Sequence, residues 1–138
     1  MTRHLQVACA IIEQDGLVLA TQRSAAMSLP LTWEFPGGKL ESGETPEQAL
    51  IREVYEELGI CVTITAALTQ TTHRYPDFTV TLYPFTCGWN GGTLTLNEHN
   101  ALRWLAPEQL AGLDWAAADR PVISEYLARS HSSTTVTL

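Results

Sequence analysis

From Val7 to Ile12 every residue is apolar, and an uninterrupted run of that kind predicts a strand over Leu5 to Ile12 that is covered on both faces. Asp15-Gly16 is a hairpin signal, and Leu17 to Gln22 returns as the second strand. Ser24 to Thr32 is a loop in which Met27, Leu29 and Leu31 are expected to form one wall of a cleft. The pattern then changes to a helical one. Thr45 is an N-cap, Pro46 suits the first helical position, Gln48 completes a capping box, and Gly59 is a left-handed stop. These signals predict a helix over Pro46 to Leu58 with Leu50, Ile51, Val54 and Leu58 as its buried arc.

Beyond the helix, Val62 to Thr72 reads as a strand and His73 to Asp77 as a turn. Phe78 to Cys87 alternates, with Phe78, Val80 and Leu82 on one side and Thr79, Thr81 and Tyr83 on the other. Periodicity alone does not say which set faces inward. Asn90-Gly91-Gly92 is a turn, Thr93 to Leu96 a short strand-like piece, and Asn97 to Asn100 a polar loop. Ala101 to Leu105 is a strand and Pro107 to Leu110 a helical turn. A closing helix over Pro121 to Arg129 has Val122, Ile123, Tyr126 and Leu127 as its stripe. The Ser/Thr-rich stretch 130–138 is expected to be a flexible tail. The chain therefore reads as a single domain over residues 1–129.

Composition narrows the function classes. With 138 residues and 45% hydrophobic content the chain can build a full core. A net charge of −7 argues against nucleic-acid and anionic-membrane surfaces, so an anionic substrate must be met locally by a metal and a few basic residues. Cys9, Cys61 and Cys87 are odd in number and lack a C-x-x-C, which reads as reduced, buried cysteines. No signal pattern or spanning apolar run is evident, so a soluble cytoplasmic protein is expected, as a monomer or homodimer.

Chemistry concentrates between Gly37 and Ile60. Glu53, Glu56 and Glu57 fall at i, i+3 and i+4 of the helix, within about 100° of arc. Like charges at that spacing repel unless something positive sits among them. Oxygen donors favour hard cations, and Mg2+, with Mn2+ as the substitute, is the usual partner of phosphates. Three helical glutamates by themselves more often make a solvated acidic face. The preceding Gly37-Gly38, which admits close backbone approach, and Glu41 and Glu44 shift the balance toward a site.

Gly38, five residues, Glu44, seven residues and then Arg52-Glu53-Val54-Tyr55-Glu56-Glu57-Leu58-Gly59-Ile60 match the Nudix box at every defined position. The chain resembles the Nudix hydrolases, most closely the MutT-like nucleoside triphosphate pyrophosphohydrolases, from about Val7 to Tyr126. The resemblance implies an α/β/α sandwich around a mixed sheet and Mg2+-dependent hydrolysis of a nucleoside triphosphate to monophosphate and pyrophosphate. It implies Glu53, Glu56, Glu57 and Glu98 as metal ligands with the Gly37 carbonyl, and Glu53 and Glu98 as rival general bases. Arg52 is expected to orient the glutamates and Glu44 to brace the loop. Arg23, Phe35, Phe78, Val80 and Asp119 are the expected nucleotide contacts.

The base is left open between two readings. MutT-like enzymes carry asparagine where this chain has Asp119, and ionised aspartate only accepts hydrogen bonds, which suits a cytosine amine. A protonated Asp119 suits an oxidised purine such as 8-oxo-guanine. The segment Glu98-His99-x-Ala101-Leu102-x-Trp104 also resembles the CTP pyrophosphohydrolase branch, including dCTP and 5-methyl-dCTP enzymes. An ADP-ribose enzyme and a non-catalytic Nudix binding module are the remaining alternatives.

Overall fold

A computed structural model describes residues 3–136, with side chains described through Arg129. The strands are β1 (Arg3–Gln14), β2 (Leu17–Gln22), β3 (Trp33–Glu34), β4 (Gly37–Lys39), β5 (Ile60–Ala67), β6 (Thr71–Arg74), β7 (Phe78–Gly92) and β8 (Ala101–Leu105). The helices are α1 (Pro46–Leu58) and α2 (Arg120–Val136), with short 3-10 turns at Pro107–Gly112 and Ala117–Asp119. Among the described residues no helix is long and apolar enough to cross a membrane.

The apolar run explains the architecture. β1 pairs in parallel with β7 along one edge, from Arg3↔Phe78 to Glu13↔Gly88. On its other edge β1 changes partner: β2 lies beside Glu13 and Gln14, and β4 beside Val7 to Cys9, both antiparallel. Ala8, Ala10 and Ile12 pack with Leu50, Val54 and Leu58 of α1. Cys9 and Ile11, pointing the other way, pack with Val122, Ile123 and Tyr126 of α2. Both faces of the mixed sheet are thus covered, which is the expected α/β/α sandwich. Buried Cys9 and Cys87 agree with the reading of the cysteines, whereas Cys61 is exposed on β5.

The helix begins and ends where its caps place it. Thr45 accepts from the Gln48 amide, Gln48 returns the bond, and Gly59 closes the helix with φ 72. The buried arc differs from expectation in one residue, because Ile51 is 45% exposed. It is displaced by Glu57, which seven residues after Leu50 returns to within about 20° of it and so lies near the middle of the buried arc.

Several strand boundaries move. The stretch expected as one strand over Val62–Thr72 is two: β5 pairs with Phe85–Gly92 of β7, and β6 with Thr79–Leu82. His73 and Arg74 belong to β6, and the turn is confined to Tyr75–Asp77, closed by Tyr75 N–H donating to the Phe78 carbonyl at 2.7 Å. Gly91 and Gly92 extend β7 rather than turn it, and Gly92 lies opposite Ile60. Residues 93–96 join no strand. They and Asn97 instead serve the open C-terminal end of α1: the Thr95 N–H donates to the Leu58 carbonyl, and the Asn97 amide to that of Glu56. α2 continues to Val136, past the expected end at Arg129, and residues 137–138 lie outside the described residues.

Candidate active site

A cleft of about 610 Å3 is lined from both antiparallel partners of β1: Arg23 and Glu34 come from the β2–β3 side, and Gly37 to Lys39 from β4. Glu53 and Glu57 of α1, Glu98 and His99 complete one end. Phe35, Phe78, Val80, Leu82, Tyr75 and Asp119 form the other. The alternation in β7 is thereby resolved: Phe78, Val80 and Leu82 face the cleft. Met27 and Leu29 line it, but Leu31, 46% exposed, does not.

At the α1 end, Arg52 organises the acids. Its Nε and Nη2 donate to Glu44 at 2.6 and 2.9 Å, and its Nη1 donates to Glu53 at 2.8 Å and to Glu56 at 3.2 Å. The Arg52 hydrogen bonds hold the Glu44 carboxyl down at about 2, while those carboxylates raise Arg52. Glu44 also accepts from the Glu41 N–H at 2.8 Å, so Arg52 ties the loop before α1 to the helix. Glu56, with a side chain 57% exposed, sits at the rim of this network and not among the cleft residues.

Two glycines make room for this arrangement. Gly37 has φ 152, and a Cβ there would fall 2.0 Å from the Ala8 carbonyl oxygen. A Cβ on Gly38 would fall 2.3 Å from the Glu53 carboxyl. Gly38→Ala is therefore expected to push Glu53 aside and lower kcat by about 10²-fold, the usual cost of a misplaced group. Steady-state kinetics with circular dichroism as the folding control checks this; unchanged kcat would mean that Glu53 need not sit there.

Glu57 is the buried member of the cluster. Burial first, then the neighbouring Glu34 and Glu53, pushes its carboxyl up to about 9. Its Oε2 and the Nδ1 of His99 face each other at 3.4 Å, yet neither has a hydrogen-bond partner. The cleft lining carries six carboxyl groups (Glu34, Glu53, Glu57, Asp77, Glu98, Asp119) against three cations (Arg3, Arg23, Lys39). An orphaned buried carboxyl oxygen in an acid-rich cleft fits a hard divalent cation, which would both satisfy and ionise Glu57. Among the described residues no three such side chains are already assembled around one point. Arg52 meets Glu53 through Oε1 and Glu56 through both oxygens.

At the apolar end, the 3-10 turn Ala117–Asp119 is held by Ala118 N–H donating to the Tyr75 hydroxyl at 2.9 Å. Asp119 is 6% exposed, and its Oδ2 accepts from the Phe35 N–H at 3.0 Å. Phe35 is a core residue, 3% exposed against Trp115, that also borders the cleft. Desolvation, followed by repulsion from Glu34, raises Asp119 from 3.8 to about 8. Burial thus favours the neutral side chain, which has a donor as well as an acceptor, over the acceptor-only carboxylate.

This has a stability consequence. Below about pH 4 native and unfolded chains both hold the Asp119 proton. As pH rises from there toward about 8 only the native chain holds it, so stability falls by up to about 1.4 kcal/mol per pH unit and then levels off. Asp119→Asn removes that term. Its melting temperature is expected to exceed the parent's at pH 8, with the gap closing toward pH 4; a gap independent of pH would show that Asp119 is ionised in the native chain.

Sequence reasoning left Glu34 and His99 without a role, although one lies in the Glu34-Phe35-Pro36-Gly37-Gly38 entry to the box and the other follows Glu98. Glu34 accepts from Arg23 Nη1 at 2.8 Å, and its other oxygen is 2.7 Å from His99 Nε2. Lys39 and Arg3 were also unassigned. As scarce cations in an acidic chain they were the available signal.

A family profile described as the NUDIX domain matches residues 2–126. The CTP pyrophosphohydrolase of Escherichia coli (strain K12) is 37% identical over 124 residues, 90% of this chain and 92% of that protein. The 8-oxo-dGTP diphosphatase of the same organism is 33% identical over 124 residues, 89% of this chain and 96% of that one. Among solved structures, the DNA mismatch repair protein MutT (family Nudix hydrolase) of methicillin-resistant Staphylococcus aureus 252 superposes with a TM-score of 0.76 at 40% identity, covering 94% of this chain and 99% of that one. The chain belongs to the Nudix hydrolase family, whose members generally need a divalent cation.

Proposed function

We propose that this Nudix hydrolase is a Mg2+-dependent nucleoside triphosphate pyrophosphohydrolase that removes oxidised nucleotides such as 8-oxo-dGTP, releasing the monophosphate and pyrophosphate. The observation that carries the reading is the cleft itself, which joins an acid-lined end on α1 to an apolar end closed by Asp119. Phe35, Phe78 and Val80 offer a slot for a flat base, while neutral Asp119 presents a donor to it. Arg23 keeps guanidinium N–H groups beyond those bound to Glu34 and Ser28 for the nucleotide.

Glu57, Glu53, Glu56 and Glu98, with the Gly37 carbonyl, would hold the metal. When bound, Mg2+ neutralises charge on the phosphates. Arg52, fixed by Glu44, orients Glu53 and Glu56. Attack by water at the β-phosphorus needs a base for the water's proton, and Glu53 or Glu98 takes it. Lys39 and Arg3, at the cleft wall, would meet the remaining phosphate charge.

A second reading has its own support. The E. coli CTP pyrophosphohydrolase matches 90% of this chain, so CTP, dCTP and 5-methyl-dCTP are alternative substrates. Pyrophosphate release with Mg2+ across 8-oxo-dGTP, dGTP, CTP, dCTP and 5-methyl-dCTP decides between them, with AMP release followed for ADP-ribose. Preference for a cytosine nucleotide moves the chain to the second reading. Release of orthophosphate, or no turnover of any triphosphate, would overturn both.

A further inference from the structure

The cleft contains a line of side chains of which the proposed reaction uses only the two ends, Arg23 and Glu57, and leaves Glu34 and His99 between them without a role. Arg23 follows β2, Glu34 lies in β3, His99 lies between β7 and β8, and Glu57 lies in α1. Glu34 bridges two of them, accepting from Arg23 through Oε1 and lying 2.7 Å from His99 through Oε2. His99, its side chain only 4% exposed, turns its other ring nitrogen toward Glu57 at 3.4 Å. The line is anchored at both ends. Arg23 Nε donates to the Ser28 carbonyl at 2.6 Å, which fixes the loop between β2 and β3. Asn97, two residues before His99, donates its backbone N–H to the Glu57 carbonyl at 3.3 Å, and Asn100, just after His99, donates to the Gln22 carbonyl at 2.8 Å.

We propose that His99, held by Glu34, is a positioning residue that couples Arg23 at the nucleotide end of the cleft to Glu57 at the cation end. The proposal rests on the reading of Glu57 as a metal ligand. Glu57 has no hydrogen-bond partner at Oε2, and the imidazole of His99 faces that oxygen at 3.4 Å. A carboxylate that ligates a metal is oriented by what lies behind it, and the loss of such a support costs about 10–100-fold in metal affinity. Arg23 touches neither Glu57 nor His99. Among the described residues the side-chain route from Arg23 to His99 runs through Glu34, beside the backbone link of Asn100 to Gln22.

The sign of one substitution separates this coupling from plain electrostatics. Removing the positive charge of Arg23 makes the cleft more negative, and charge alone then predicts tighter cation binding. The coupling predicts weaker binding, because Glu34 is released and His99 loses its anchor. The probe is Mn2+ without nucleotide, followed by the electron paramagnetic resonance signal of the free ion. Arg23→Met, which keeps the stem and removes the guanidinium, is expected to weaken Mn2+ binding about threefold or more. His99→Ala is expected to weaken it about tenfold or more. The double variant should bind no more weakly than His99→Ala, since both cut one line.

Melting curves monitor folding. If His99→Ala does not fold, Arg23→Met decides alone, because it removes a group that contacts no metal ligand. Unchanged or tighter Mn2+ binding by Arg23→Met, or single effects that multiply in the double variant, would overturn the coupling. No Mn2+ binding by the parent chain would instead overturn the metal reading on which it rests.

Discussion

Replacing Glu53 by glutamine is expected to lower kcat by about 10²–10⁴-fold while leaving the fold and the nucleotide affinity near those of the parent. The change is isosteric and removes only the charge and the basicity. Glu53 occupies the one position of α1 that meets three demands together. It accepts from Arg52 Nη1 at 2.8 Å, it lines the cleft, and its carboxyl lies against Gly38, where the absence of a side chain leaves it room. Burial does not hold it there. Geometry does. A glutamine can keep the Arg52 hydrogen bond through its carbonyl oxygen, so α1 and its caps should survive. What it cannot do is accept the proton of an attacking water or contribute charge to a shared cation. The measurement is kcat by pyrophosphate release, set beside Glu98→Gln. If Glu53→Gln loses less than about tenfold while Glu98→Gln loses 10²-fold or more, the proton passes to Glu98, and Glu53 is reduced to a ligand.

The elements that the sequence made readable are those whose determinants are local. The caps of α1 lie within a few residues of its ends, and the box fixes the spacing of Glu44, Arg52, Glu53, Glu56 and Glu57 on one segment. The covered strand at Val7–Ile12 needs no partner to be recognised, since only a two-sided environment suits such a run. Legibility failed where pairing over distance decided. Whether Val62–Thr72 is one strand or two depends on where β7 offers edge to pair, and β7 runs on to Gly92 because Ile60 lies opposite it. Ile51 is exposed because the sheet and cleft claim the arc on the other side, placing a carboxyl between apolar neighbours. The Glu34–His99 contact joins residues 65 apart, and no spacing rule reaches that far. The protonation of Asp119 is of the same kind, being a property of burial and of Glu34 more than of the residue itself.

That protonation carries the second large effect, on the choice of base. With its carboxyl raised to about 8 and its Oδ2 accepting from the Phe35 N–H, a neutral Asp119 would have its hydroxyl to donate through Oδ1. A donor there complements an acceptor on the base, and one well-placed pair of hydrogen bonds is worth about 1–3 kcal/mol of discrimination. The ratio of kcat/KM for 8-oxo-dGTP to that for dCTP is therefore expected to fall as pH rises through about 8, because ionised Asp119 keeps only acceptors and favours the cytosine amine. Taking the ratio on one enzyme cancels the pH dependence of the common chemical step. Asp119→Asn supplies the second control. Its amide donates and accepts at every pH, so the ratio should stay high, and whatever slope persists belongs to the nucleotides themselves. Asp119→Ala should collapse the ratio by about 10–10²-fold at pH 7, since the Phe35 N–H and the base edge both lose their partner. A ratio already in favour of dCTP at pH 6.5 that is unmoved by Asp119→Asn would place base selection elsewhere in the cleft, with Asp119 left as the acceptor that fixes the Phe35 backbone.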